Sequence, residues 1–193
     1  MYKRQPPKCI DNWINALAVQ TCALSCPVTQ NLYQKLSGYS DLSILIDWIN
    51  SSPEVYEYLN NWCSTATIFA PNNCAFESWA ASLGTSVEEL KNYLASTQYG
   101  ETQCNQLTAT LWNHILPKII FSAAYKPGCT VKVLNQIQDC LQVYKYSQSP
   151  YCLCVTSRSN SKAKVLNEDI LALNGVAFII SNVLALPPVI VQE

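Results

Sequence analysis

The sequence predicts an α+β fold built as one domain. Three observations carry that expectation. Apolar residues recur at helical spacing through the first part of the chain. A short apolar run, residues 66–70, reads as a buried strand that Pro71 ends. Beyond Pro117 the chain turns into short β-branched and aromatic runs separated by turn formers. Helices followed by strands, without regular alternation, separate this pattern from a βαβ fold. No internal repeat and no long linker divides the 193 residues.

Ile10, Trp13, Ile14, Leu17 and Leu24 suggest a first helix, bracketed by Cys9, Cys22 and Cys26 and stopped by Pro27. Ser40 is a candidate N-cap for a second helix with Leu42, Leu45, Ile46 and Ile49 on one face. Ser52 followed by Pro53 opens a third helix that runs through Leu59, with proline at the first helical position. After the strand, Asn72 and Asn73 are turn formers and possible N-caps for a helix carrying Ala75, Phe76, Trp79 and Leu83, which Gly84 ends. Ser86-Val87-Glu88-Glu89 is a capping box that starts a helix to Leu94. Leu107, Leu111, Ile115 and Leu116 suggest another, stopped by Pro117. Strands are expected at 118–121, 130–134, 141–146, 151–155, 163–166 and 176–181. Gly128, Ser149-Pro150, 157–161 and Asn174-Gly175 punctuate them.

Composition excludes several classes. Charged residues make up 13% and hydrophobic residues 49%, so the chain is not a disordered charged tail. A formal net charge of −1 gives no bulk reason to bind nucleic acid or an anionic membrane. No 18-residue apolar stretch is present to span a bilayer. The polar, basic start of the chain is not a signal peptide, so an exported protein would appear here in mature or trimmed form. The ten cysteines are Cys9, Cys22, Cys26, Cys63, Cys74, Cys104, Cys129, Cys140, Cys152 and Cys154. An even count favours disulfides and an oxidising compartment. Metal is the rival: Cys22 and Cys26 have knuckle spacing, but the lone histidine has no local partner, so no metal site is assigned. Asn50-Ser51-Ser52 is a glycosylation sequon with Pro53 directly behind it.

Catalytic signatures do not emerge. His114 is the single histidine, and its place in the apolar 111–116 run favours a packed, hydrogen-bonded residue over a general base. Glu88 and Glu89 sit at a helix start, where the macrodipole favours them, and Glu168 and Asp169 read as a turn before an apolar strand. Five glycines leave little room for a phosphate-cradling loop. Aromatics are plentiful, with Trp48, Tyr56, Tyr58 and Trp62 near the second and third helices. Tyr144, Tyr146 and Tyr151 flank a hairpin, as residues suited to core edges or to partner contact.

The order of segments resembles the fasciclin, or FAS1, domain. Thr67-Ile68-Phe69-Ala70-Pro71-Asn72-Asn73-Cys74-Ala75-Phe76 is similar to the first family motif, T-V-F-A-P-T-x-x-A-F. Leu111-Trp112-Asn113-His114-Ile115-Leu116-Pro117 resembles the central histidine motif, with Asn113 where tyrosine is often found. Ile170-Leu171-Ala172-Leu173-Asn174-Gly175-Val176, Ile179-Ile180 and Val183-Leu184-Ala185-Leu186-Pro187 resemble the second family motif. Phe178 and Ser181 stand where many members carry histidine and aspartate.

This resemblance implies a FAS1 β-sandwich or wedge with a helical layer over residues 38–190, reinforced by disulfides. Residues 1–37 would be a cysteine-stapled helical extension. Thr67, Phe69, Pro71, His114, Asn174 and Gly175 would be structural motif residues, with Asn174-Gly175 making a hairpin turn. The resemblance implies no catalysis and no cofactor. It implies a secreted or cell-surface module that contacts a protein partner at a cell surface, in a matrix or in a membrane-associated assembly. In animal matrix members, segments like the one holding Asn113 and His114, and the one holding Glu168, Asp169 and Ile170, are implicated in integrin contact. Alternatives are a carrier of an apolar ligand such as a carotenoid, and an accessory subunit of a larger complex, for example in the thylakoid lumen. The cysteines mostly lie outside the signatures, and a first local bridge is expected from Cys140 to Cys152 or Cys154 across the hairpin.

Overall fold

The computed structural model describes residues 28–100, 104–146 and 152–186. The helix expected around Ile10 to Leu24, with Cys9, Cys22 and Cys26, lies outside them, as does Tyr151. In chain order the described elements are helices α1 (Leu32–Ser37), α2 (Ser43–Asn50) and α3 (Pro53–Asn60), then strand β1 (Ala66–Pro71). Helices α4 (Asn73–Ser82), α5 (Val87–Ser96) and α6 (Gln106–Asn113) follow, leading into β2 (Ile115–Leu116). Strands β3 (Thr130–Leu134), β4 (Cys140–Lys145), β5 (Leu153–Thr156), β6 (Lys162–Ala172) and β7 (Gly175–Ile180) complete the order. The fold is α+β, with one seven-stranded sheet in the order β2-β1-β7-β6-β5-β4-β3. β1 and β7 are parallel and the other pairs antiparallel.

Alternation along the strands sorts their side chains into two cores. Ala66, Ile68 and Ala70 of β1 and Ala177 and Ile179 of β7 face the helices, where Leu36, Leu45, Trp48, Leu59, Phe76 and Leu111 meet them. Phe69, Val176, Phe178 and Ile180 face the other way, against Val133, Leu141, Val143, Leu153 and Val155 of β3–β5. β1 and β7 are thus buried along their whole length, which suits the unbroken apolar runs of a parallel pair. The β3–β4 turn closes part of the way back to β2. Gln136 donates its N–H to the Ile115 carbonyl at 2.9 Å, and Asn135 Nδ2 donates to Asn113 Oδ1 at 2.6 Å.

Local capping follows the sequence at several positions. Asn72 Oδ1 accepts the Ala75 N–H, and Ser86 and Glu89 form a reciprocal capping box. Those bonds hold the exposed Glu89 carboxyl below the usual carboxylate range, through the Ser86 backbone first. Gly84 takes the left-handed conformation, φ +70°, just past the end of α4. At α2 the expected cap fails. Ser40 begins a 3-10 turn (Ser40–Leu42), and the Ile44 N–H is taken by Asn73 Oδ1, reaching over from α4. The cap is therefore tertiary, supplied from a residue distant in sequence.

Three other expectations are revised, and one helix is additional. α6 ends at Asn113, and Ile115 and Leu116 form β2 against Ile68 and Thr67. Sequence spacing fits both a helix and a short strand there, and the free edge of β1 decides. Residues 118–121 form no strand. Thr67 Oγ1 donates to the Lys118 carbonyl and accepts the Ile120 N–H, so one side chain satisfies that backbone in place of a ladder. β6 begins at Lys162 and continues through the predicted turn at Glu168-Asp169 to Ala172, with register shifts between Val165 and Ile170. Asp169 has φ +54° inside that irregular stretch, which is a β-bulge. α1 was not anticipated. Its Leu32 and Leu36 are fully buried in the helical core, although they precede the boundary expected at residue 38.

Asn174 and Gly175 act differently from a simple hairpin pair. The turn lies at Leu173-Asn174, and Gly175 is the first residue of β7. Asn174 is fully buried. Its Oδ1 accepts the Leu32 N–H at 2.8 Å, while its Nδ2 donates to the Leu59 and Asn61 carbonyls and to Ser64 Oγ. Gly175 is required by crowding: a Cβ there would lie 2.0 Å from the Ala66 carbonyl oxygen and 2.7 Å from Leu32 Cδ1. Gly175→Ala is expected to destabilise the domain by about 3 kcal/mol or more, read as a lower urea midpoint. Adding Leu32→Ala should give no recovery, because the closer obstacle is backbone. A wild-type midpoint for Gly175→Ala would refute this.

Candidate functional site

Five residues are expected to contact a partner, and the fold separates them. Asn113 and His114 are each 2% exposed, and Ile170 is buried. His114 closes α6, so its ring points back along the helix. Nδ1 donates to the Thr110 carbonyl at 2.7 Å, and Nε2 accepts the Leu184 N–H at 2.9 Å. Both nitrogens are used, which fixes the neutral Nδ1–H tautomer. Burial holds the histidine down to a pKa of about 4, and the Thr110 bond opposes that shift only in part. Asn113 Nδ2 donates to the Leu184 carbonyl, and Ser159 Oγ donates to the Ala185 carbonyl. The backbone after β7 is therefore gripped by residues of the central motif and of the serine-rich β5–β6 turn.

Asp169 is also committed to structure. From the bulge its carboxylate accepts the Ser122 N–H at 2.8 Å and the Ser122 hydroxyl, anchoring the 3-10 turn Ser122–Ala124. Tyr125 lies just behind, and its buried phenol is held well above its usual pKa, first by burial and then by Asp169. Glu168 alone of the five is half-exposed without such a bond in the described contacts. Among the structural motif residues, Phe69 packs on Phe178 at 5.5 Å, and Pro71 pairs with Ile180 at the end of β1. Phe178, which replaces a polar residue of the family pattern, is thus a core ring.

Asn50 is exposed at the end of α2, with its Oδ1 accepting from the Tyr33 hydroxyl, while Ser52 of the same sequon is fully buried. Ser52 Oγ instead accepts from Thr108 Oγ1. Cys74, Cys129, Cys140, Cys152 and Cys154 carry free thiols. The bridge expected from Cys140 to Cys152 or Cys154 is excluded by register. Cys140 faces Leu134, whereas Cys154 faces Tyr144, four residues further along β4, an offset of about 13 Å. Among the described residues no cluster of three or more metal-ligating side chains occurs.

Two surface features were not foreseen. A groove of about 300 Å³ beside α4 is lined by Ser78, Trp79, Ser82, Lys162 and Asn182, among others. The outer face of β3–β6 presents Thr130, Tyr144, Cys154 and Lys164 in one row and Lys132, Gln142, Thr156 and Lys162 in the next. Leu134, Tyr146 and Leu166 are 51%, 48% and 52% exposed at the borders of these rows. Alternation in 130–134 and 141–146 was the signal for this face, but it required the register to assemble.

His114 generates a pH dependence. Its pKa is lower in the folded state, about 4, than the ordinary 6.5, so the unfolded chain takes up the proton first as pH falls. Stability should be lost progressively from pH 6.5 to pH 4, by about 3 kcal/mol in total, and level off below. Urea titrations should show that wild type loses this increment relative to His114→Gln. Parallel pH profiles for the two proteins would overturn the assignment.

Comparison with known proteins agrees with the geometry. A model of the fasciclin domain matches residues 40–187. No curated protein sequence matches the chain. A similar solved structure is the FAS1 domain pair of the insect cell adhesion molecule fasciclin I, with a TM-score of 0.64 and 14% sequence identity. The match covers 82% of this chain and 52% of that one, so the chain spans about half of the insect protein's structure. With the family model covering most of its length, and the α+β architecture in register with it, the chain belongs to the fasciclin domain family.

Proposed function

We propose that the chain is a non-catalytic protein-binding module of a cell surface or extracellular matrix, and that it engages its partner through the outer face of β3–β6. Fasciclin domains are adhesion and interaction modules. The observation that supports this face is its content: Tyr144, Tyr146, Leu134 and Leu166 stand outward among Lys132, Lys162 and Lys164. Tyrosine offers a large rigid contact with a polar tip, and lysines at the borders supply charge for orientation. Polar residues of the central motif are less suited to the task, since Asn113 and His114 are buried and have spent their hydrogen bonds inside.

The test is cell adhesion to surfaces coated with the folded protein. Wild type is expected to support adhesion, and the Tyr146→Ser/Leu166→Ser double variant to reduce it several-fold. Glu168→Ala should leave it unchanged. Equal adhesion by the double variant would remove this face from consideration, and a non-adhesive wild type would remove the adhesive reading.

A further inference from the structure

On β5 the side chains of Leu153 and Val155 are buried, so Cys152 and Cys154 point together to the outer face. Their Cα atoms are two extended residues apart, about 6.6 Å, near the upper end of the span a disulfide bridges. Cys154 is held in register between Tyr144 and Lys164. Cys152 precedes the first residue of β5, and its carbonyl accepts the Tyr146 N–H at 2.9 Å. Closing the pair would draw Cys152, which lies outside the strand, toward Cys154 while its carbonyl stays bonded to Tyr146. Tyr144 and Tyr146 meet edge-on at 5.0 Å above the pair. The Tyr146 phenol is held above its usual pKa, by Cys154 first. Competing partners are badly placed: Cys140 is offset along β4, and Cys129 lies in the turn before β3, which β4 separates from β5.

We propose that Cys152 and Cys154 form a redox-active dithiol that closes reversibly into an intrastrand disulfide by exchange with a low-molecular-weight disulfide. One thiolate attacks a sulfur of oxidised glutathione, forming a mixed disulfide and releasing one glutathione thiolate. The second protein thiolate then attacks the protein-side sulfur and releases the second. The protein loses two electrons and two protons, and the small disulfide becomes two thiols. Bridging two residues of one extended strand strains the ring, and strained bridges are the ones most easily reduced again. This inference does not depend on the sheet face binding a partner.

The experiment equilibrates the folded full chain in a series of glutathione redox buffers, quenches it with an alkylating agent and maps the peptide holding residues 152–154 by mass. In oxidising buffers that peptide should lose both alkyl labels and the mass of one hydrogen molecule. Return to reducing buffer should restore both labels. Cys152→Ser and Cys154→Ser should each accumulate a glutathione adduct on the remaining cysteine, which wild type resolves. Both thiols remaining alkylatable across the series, either one bridging to Cys129 or another cysteine, or a bridge that reducing glutathione does not open, would each overturn the proposal.

Discussion

The parallel pairing of β1 with β7 is the constraint on which the rest of the domain depends. Residues 72–174 lie between the two strands, so their union closes a long loop, and that entropy must be met by burial on both faces. It is: the helices cover one side and the β3–β5 layer covers the other. The pairing starts where Ala66 faces Gly175, and there the backbones approach so closely that no side chain fits. Asn174 secures the same point by accepting from α1 and donating to the α3–β1 connection. A buried amide with each of those bonds made specifies one arrangement, because any shift strands a donor or acceptor away from water.

A second polar junction holds the other end of β7. His114, Asn113 and Ser159 receive the backbone of Leu184 and Ala185, and Asn135 ties Asn113 to the β3–β4 turn. Conserving the neutral form of His114 matters here because its acceptor nitrogen is the group that holds Leu184. Protonation would convert that acceptor into a donor facing a donor. The histidine that stands out in the sequence is therefore a structural acceptor, and its chemistry is spent on architecture.

What was legible in the sequence was local. β1, the Asn72 cap, the Ser86-Glu89 box and the stop at Gly84 are determined by residues within a few positions of one another. What was missed depends on contacts between distant residues. Asn73 displaces Ser40 as the cap of α2, β1 draws Ile115-Leu116 out of a helix, and Thr67 satisfies 118–120 without a strand. Glu168-Asp169 looks like a turn because its residues favour one, yet the same preference serves a bulge that lets β6 continue. The fasciclin motifs gave the order of these parts and placed His114 and Phe69 in the core, whereas Asn174, expected in a turn, is buried as well. Those motif residues mark the fold. The outward sheet face was not readable, because no single stretch contains it.

That separation bears on where binding specificity can reside. A residue that fills the core or completes a buried hydrogen-bond network cannot vary without cost to stability, so Asn113, His114 and Asn174 are poor places to encode a partner. The outer positions of β3–β6 carry no such load. Strand alternation anchors Val133, Val143, Val155 and Ala163 inside and leaves Lys132, Tyr144, Cys154 and Lys164 outside on the same four strands. The inner residues set the register, and the register decides which outer residues are neighbours. Partner chemistry can therefore be written on a rigid surface whose geometry is fixed from beneath, and altered there without disturbing the pairing of β1 with β7.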